Sequence, residues 1–205
     1  HWVRTTANAD SVSHDTAAAV AASLTNPGQI ASLILPADSA WNPVENQQEP
    51  EKAFVLAAGI PADDIIEGAA AALKKAKNPA ILLGKNALRE VPLRSAGLIA
   101  EATGADLLCP NMVARVTQGA GRVPVKRVPY ATPAAVDFLK DYDLLVLVGS
   151  KAPVGFFAYP NRPSALTPPA MHVVELAQPR HDLTASLQAL VTAVGADTAK
   201  EATTS

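Results

Sequence analysis

The stretch Asn78-Pro-Ala-Ile-Leu-Leu-Gly-Lys-Asn86 decides the fold. Its apolar run is too short for a helix and stands between a proline and a glycine, so it reads as a buried parallel strand followed by its turn. The same unit returns as Asp143-Leu-Leu-Val-Leu-Val-Gly-Ser-Lys151. Each run ends in a glycine with a lysine and a small polar residue beside it. That pairing predicts one open α/β sheet, whose carboxyl edge is the usual place to hold a ligand.

Outward from these strands the helices follow. Ala62 to Ala76 carries Asp63 and Asp64 in its first turn and Lys74, Lys75 and Lys77 at its end, matching the helix dipole at both ends. Ile65, Ile66, Ala69, Ala70 and Leu73 give it an apolar stripe at helical spacing. After the strand at 80–83, a helix is predicted from Val91 to Thr103, with Leu93, Leu98 and Ile99 inward and Gly104 as its stop. Ala105–Cys109 is the next strand. Thr132, as cap, and Pro133 open a helix to Lys140. Leu144–Val148 and His172–Leu176 are the remaining strands of this region, and Asp182 caps a last helix that Gly195 ends. Strands alternating with helices make a doubly wound, Rossmann-like parallel sheet flanked by helices.

Ahead of this lies a smaller unit. A helix from Val12 to Leu24, capped by Ser11 or Ser13, is stopped at Asn26-Pro-Gly28, and Ile30–Leu35 follows as a strand. One αβ unit of this size cannot bury its own sheet face, so it reads as a partial αβ unit of another domain. From Ala37 to Pro61 the prolines, acidic residues and Asn46-Gln-Gln48 indicate a surface segment. The expected organisation is 1–43 as the partial unit, 44–61 as linker, 62–195 as the main domain and 196–205 as a frayed tail. The opening His1-Trp-Val-Arg4, which is neither Met nor a signal sequence, reads as the start of a piece cut from a longer protein.

The 205 residues are 49% hydrophobic and 18% charged with a formal net charge of -2, so nothing calls for a nucleic acid or an anionic membrane. Apolar runs break well short of the ~20 residues needed to span a bilayer. The lone Cys109 excludes an internal disulfide framework and a cysteine metal cluster, which points to a reducing, cytoplasmic compartment.

Candidate chemistry is sparse. Gly84-Lys85-Asn86 can hold a phosphate or ribose hydroxyl, or Gly84 can simply permit a sharp turn while Lys85 is solvated; Gly149-Ser150-Lys151 offers the same two readings. The loop from Pro110 to Ala131 carries Arg115, Arg122, Lys126 and Arg127 without an acid. It suits an anionic ligand, and equally a solvated surface or an interface with a missing domain. Gly119-Ala-Gly121 lacks both the third glycine and the preceding strand of a dinucleotide fingerprint. His14-Asp15 reads as a cap region, His172 as a core or edge histidine, His181-Asp182 as a helix entry and Cys109 as a small buried side chain. No metal spacing and no Ser/His/Asp set can be nominated.

Pro27-Gly-Gln-Ile-Ala-Ser-Leu-Ile-Leu-Pro-Ala-Asp38 resembles the segment that closes the pyrimidine-binding domain of thiamine-diphosphate-dependent enzymes, of the acetolactate synthase and benzoylformate decarboxylase kind. Ala80–Glu90, Ala96–Ala105, Gly119–Arg122 and, most specifically, Leu145–Pro160 resemble their central domain. The resemblance covers essentially the whole chain. It implies a parent carboligase or decarboxylase in which thiamine diphosphate and Mg2+ carry the loss of carbon dioxide from a 2-oxo acid, followed by protonation or ligation. In that family a glutamate early in the pyrimidine domain and a Gly-Asp-Gly followed by Asn serve the cofactor. Neither is in this sequence, so no catalytic and no metal-binding residue is assigned and the chain alone is expected to be inactive. The family's central domain binds FAD in some members, ADP in others and nothing in the rest. Gly84, Asn86, Gly149 and Ser150 stand at the matching strand ends and are the expected nucleotide contacts. The implied partners are the remaining domains of the parent and further copies of it in a homo-oligomer. A self-standing module binding ADP or FAD is the alternative, and an oligomerisation scaffold a third reading.

Overall fold

A computed structural model describes residues 1–46, 49 and 51–197. The chain divides into units His1–Gly59 and Ile60–Ser205. In the first, β1 (Trp2–Thr5) pairs in parallel with β2 (Ala31–Ile34), and α1 (Val12–Leu24) connects them. The predicted α1 is matched to the residue, and β2 is one residue shorter at each end than predicted. β1 was not foreseen, because its alternation of Trp, Val, Arg and Thr holds no apolar run. Helix α2 (Ala37–Trp41) occupies the start of the segment taken as irregular. Ser11 stands at the N-cap of α1 without a side-chain cap bond; its neighbour Ser13 accepts from the Glu51 backbone N–H instead. The linker expectation falls partly on residues 47, 48 and 50, and that of a frayed tail on 198–205, which lie outside the described residues.

This unit is held by polar contacts. The Arg4 guanidinium meets the buried Asp15 carboxylate at 2.9 Å and lies over the Trp2 ring, and His14 Nδ1 stands 2.7 Å from Glu51. Asp10 accepts from the backbone N–H groups of Glu45 and Asn46 and from the Asn46 amide. The Asn46 bonds hold its carboxyl below the ordinary range. Among the described residues of this unit, Ala17 is the one buried hydrophobic side chain.

The second unit opens with α3 (Asp63–Lys75), which leads into β3 (Pro79–Leu83), a short 3-10 turn (Lys85–Leu88) and α4 (Glu90–Thr103). Then come β4 (Asp106–Cys109), a loop, β5 (Lys126–Arg127), α5 (Thr132–Leu139), β6 (Leu144–Val148), β7 (His172–Ala177) and α6 (Leu183–Val194). The sheet is all parallel in the order β5-β4-β3-β6-β7. From β3 the chain winds outward to β5, returns to β6 beside β3 and winds the other way. The doubly wound α/β reading is therefore correct, with β5 as a fifth strand. That strand escapes a sequence reading because its two residues are charged and it borrows its geometry from β4.

Alternation along each strand sorts side chains to two faces. Ile81, Leu83, Leu107, Cys109, Val146 and Val148 face α3, α4 and α6, while Ala80, Leu82, Leu108, Leu145 and Leu147 face α5 with Leu166 and Met171. β3 and β6 are buried at every position, which is why they read as continuous apolar runs. In α3 the stripe of Ile66, Ala69, Ala70 and Leu73 is buried as expected, but Ile65 turns outward. Thr132 is the first residue of α5 rather than its cap, a place taken by Ala131 with no side-chain bond. His172 is exposed at the start of β7.

At the amino edge Asp143 stitches the sheet. Its carboxylate accepts from the backbone N–H groups of Lys77 and Asn78 at 2.8 and 2.9 Å, and those bonds hold its pKa below the usual range. A depressed carboxyl stabilises the fold above its unfolded pKa and loses that contribution as pH falls through the folded one. Asp143→Asn should therefore lower the urea midpoint at neutral pH, and the gap from the parent chain should close as the titration moves to acid. At the other end Asp182 caps α6 by accepting from Thr184 and Ala185 N–H, both at 3.0 Å. Asp182→Ala should cost about 0.5–2 kcal/mol in a urea denaturation.

Candidate functional site

The order of strands reverses between β3 and β6, and in an open parallel sheet the crevice outside the carboxyl ends at such a point is where ligands bind. Gly84 follows β3 and Gly149 follows β6, so the structure brings both sequence-predicted turns together there. They touch through backbone. A Cβ on Gly84 would run into the Gly149 carbonyl oxygen and stand 3.0 Å from the Ser150 Cβ. One on Gly149 would lie 2.5 Å from Leu183 Cδ1 and 2.9 Å from the Gly84 oxygen. Gly149 has φ 65, so it is glycine for conformation as well as for space.

Both glycine amides are already engaged. Gly84 N–H donates to Val148 O at 2.9 Å and Gly149 N–H to Ala177 O at 2.7 Å. The Gly84 oxygen accepts from Ala87 N–H. These two residues therefore shape the edge and leave the polar contacts to their neighbours. Asn86 is exposed, and its backbone oxygen accepts from Arg89 N–H. Ser150 is half-buried, its hydroxyl 3.2 Å from Lys151 O. Lys85 and Lys151 are exposed on either side, and Lys85 holds φ 51, a conformation uncommon for a residue with a side chain. Nearby in the chain, Arg89 has a buried Nη1 with no hydrogen-bond partner.

Strand β5 is positively charged at both of its residues. Arg127 Nη1 donates to Asn111 O, and Lys126 meets Asp106 at 2.6 Å. Asp106 also accepts from the Tyr142 hydroxyl. Partial burial raises the Asp106 carboxyl, but the bonds from Lys126 and Tyr142 outweigh it and the net shift is downward. Burial and the Asp106 contact push the Tyr142 phenol up. This cluster sits at the amino end of β4, away from the strand-end turns, and serves the sheet edge. Cys109 is buried, and burial raises its thiol above the ordinary range, in keeping with a small buried side chain.

Hollows of about 560 Å³ between α3 and α6, 240 Å³ beside Asp106 and 610 Å³ against α1 mark the surface; none of these three is lined by Gly84, Asn86, Gly149 or Ser150. At the strand-end turns Lys85, Asn86 and Lys151 are exposed and Ser150 is half-buried. Among the described residues no group of His, Cys, Asp or Glu is placed to hold a metal ion, and no helix is long and apolar enough to cross a membrane. A side-chain set fit for thiamine diphosphate with its metal is likewise not found among them, so no step of that chemistry is drawn from this chain. The sequence reading missed an aromatic hairpin that follows Lys151; its signal was the density of Phe and Tyr in 156–159.

An α/β section of this architecture occurs within larger thiamine diphosphate enzymes. The chain superposes on a thiamine diphosphate-dependent 4-hydroxybenzoylformate decarboxylase of Rhodococcus jostii RHA1 with a TM-score of 0.76 and 19% identity, over 100% of this chain and 41% of that one. Against the benzoylformate decarboxylase of Polynucleobacter necessarius the TM-score is 0.71 and the identity 17%, over 99% and 40% of the two chains. More particularly, it is 39% identical over 183 residues to the acetolactate synthase large subunit-like protein IlvX of Mycobacterium tuberculosis, which spans 87% of this chain and 34% of that protein. No family model matches. The resemblance to thiamine-diphosphate-dependent, acetolactate synthase-like enzymes read from the sequence holds, and the chain spans about a third of the curated relative's length.

Gly84→Ala forces β3 and β6 apart at their ends and should destabilise the fold by about 1–3 kcal/mol, read as a drop in urea midpoint. Ser150→Ala, beside the same contact, should change it by less than about 0.5 kcal/mol.

Proposed function

We propose that this chain is a section of a thiamine-diphosphate-dependent carboligase or decarboxylase of 2-oxo acids, acetolactate synthase-like. Residues 1–43 would close its pyrimidine-binding domain, 44–61 would be a linker and 62–195 its central domain. The observation that carries this reading is the 39% identity to IlvX across 87% of the chain, supported by the fold shared with the decarboxylases. The parent is a cytoplasmic homo-oligomer in this reading, and its cofactor and Mg2+ are held by polypeptide outside this chain. When bound, thiamine diphosphate would supply the carbon nucleophile for 2-oxo acids. The role of this chain is to space and orient the parts that hold it.

A nucleotide contact is the finer part of the proposal. In this reading Gly84 and Gly149 set the crevice, the Asn86 amide and the Ser150 hydroxyl would meet a ribose or phosphate of ADP or FAD, and Lys85 and Lys151, exposed on either side, would supply positive charge. A self-standing nucleotide module is the second reading, and it rests on the same edge at the point where the strand order reverses.

The full reading frame encoding this chain should release carbon dioxide from a 2-oxo acid, or ligate it, only with thiamine diphosphate and Mg2+ present, while the 205-residue chain does neither. A full-length protein inactive on a panel of 2-oxo acids counts against the enzyme reading. Titration calorimetry of the chain with ADP and FAD tests the nucleotide: heat that Asn86→Ala weakens at least tenfold supports it, and no heat removes it.

A further inference from the structure

Beyond Lys151 the chain makes a hairpin. Val154 and Ala165 form an antiparallel bridge, Gly155 N–H donates to Ser164 O at 2.7 Å and Leu166 N–H to Pro153 O at 3.1 Å. Leu166 is buried in the core beneath α5's side of the sheet, which anchors the hairpin from below. Pro153, Pro160 and Pro163 stiffen it. Its aromatic rings form a run that Tyr130, from the segment before α5, joins: Tyr130 to Phe156 at 6.1 Å, Phe156 to Phe157 at 4.7 Å and Phe157 to Tyr159 at 5.9 Å between centroids. These side chains are 48–60% exposed, in a protein with only 4% aromatic residues.

A soluble surface does not ordinarily carry its aromatics in one stiff exposed cluster. The three ring pairs are tilted or edge-on, so none of them is a parallel pair that would sandwich a planar ligand. Rigid Tyr and Phe with little entropy left to lose are instead the anchors of protein interfaces. The two segments that supply these rings are also one-sided in charge. From 110 to 136 and from 144 to 174 there is no acid, while Arg115, Arg122, Lys126, Arg127, Lys151 and Arg162 are present. Lys126 has Asp106 as its partner, and Arg162 is exposed on the hairpin itself.

We propose that this aromatic hairpin is an interface, covered by protein with an apolar centre and a carboxylate rim that belongs to the polypeptide of the parent enzyme beyond this section. The length of the relatives supports that occupant: the chain spans 34% of IlvX and about two fifths of the solved decarboxylases, so most of each lies outside the region matched here. Net charge disfavours a nucleic acid, because the chain as a whole is at -2.

The proposal rests on the reading of the chain as part of a longer enzyme, and its test separates the two. Hydrogen exchange is measured on the 205-residue chain and on the protein from the full reading frame. The amides of 154–165 should exchange at least tenfold more slowly in the longer protein. Phe157→Ser should leave the melting temperature of the chain within about 1 °C, as for a surface substitution, and lower that of the longer protein by several degrees. Val91→Ser, exposed on α4, serves as control and should affect neither. Unchanged exchange in a longer protein overturns the interface alone, whereas a reading frame no longer than this chain overturns both readings. A concentration-dependent dimer of the 205-residue chain that Phe157→Ser abolishes makes a second copy the occupant and overturns the assignment. So does salt-sensitive binding of a single-stranded oligonucleotide that the same substitution removes.

Discussion

The contact of Gly84 with Gly149 fixes the centre of the second unit. Two parallel strands buried on both faces can lie side by side along their length, but at their ends each must leave the sheet, and at a reversal of strand order they leave in opposite senses. Here they do so with backbone against backbone, each amide engaged in a bond of its own. Leu183 closes the third side and seats the first turn of α6 on the same point. A side chain at either position would displace a carbonyl or a helix, neither of which moves cheaply. The polar groups open to a ligand are those one or two residues further on, outside the contact.

What was legible in the sequence follows from this. β3 and β6 showed themselves because burial on both faces leaves only apolar residues, and the glycines after them because nothing larger fits. Helix ends were legible where chemistry marks them: Asp182 caps α6, and Gly104 and Gly195 take left-handed conformations at the ends of α4 and α6. β1 and β5 were not legible, since β1 is half exposed, β5 is exposed at both residues, and each is a strand only by virtue of its neighbour. For the site, the sequence located the residues but could not show that the Gly84 and Gly149 amides are already engaged. The aromatic rings were visible as letters, yet Tyr130 joins them only through the fold.

The two units differ in what stabilises them. The second has a core continuous on both faces of its sheet, with large aliphatic side chains such as Leu82, Leu108 and Leu145 fully buried. The first has polar contacts such as Arg4 with Asp15 and, among its described residues, one buried hydrophobic side chain, Ala17, while Val3, Ile30, Ile34, Leu24 and Phe54 are exposed. Transfer of apolar area from water is the main favourable term in folding, so the second unit has ample means to hold itself together and the first has little.

The edges of the two sheets carry a further consequence. In the second unit β5 is two residues long and both are charged, so that side of the sheet presents almost no backbone for another strand to add to. In the first, β1 and β2 each keep an outer edge unpaired among the described residues, with Val3 and Ile34 exposed. When this polypeptide is concentrated, disordered self-association should begin at those strands. The well-packed sheet would enter such deposits only as a passenger.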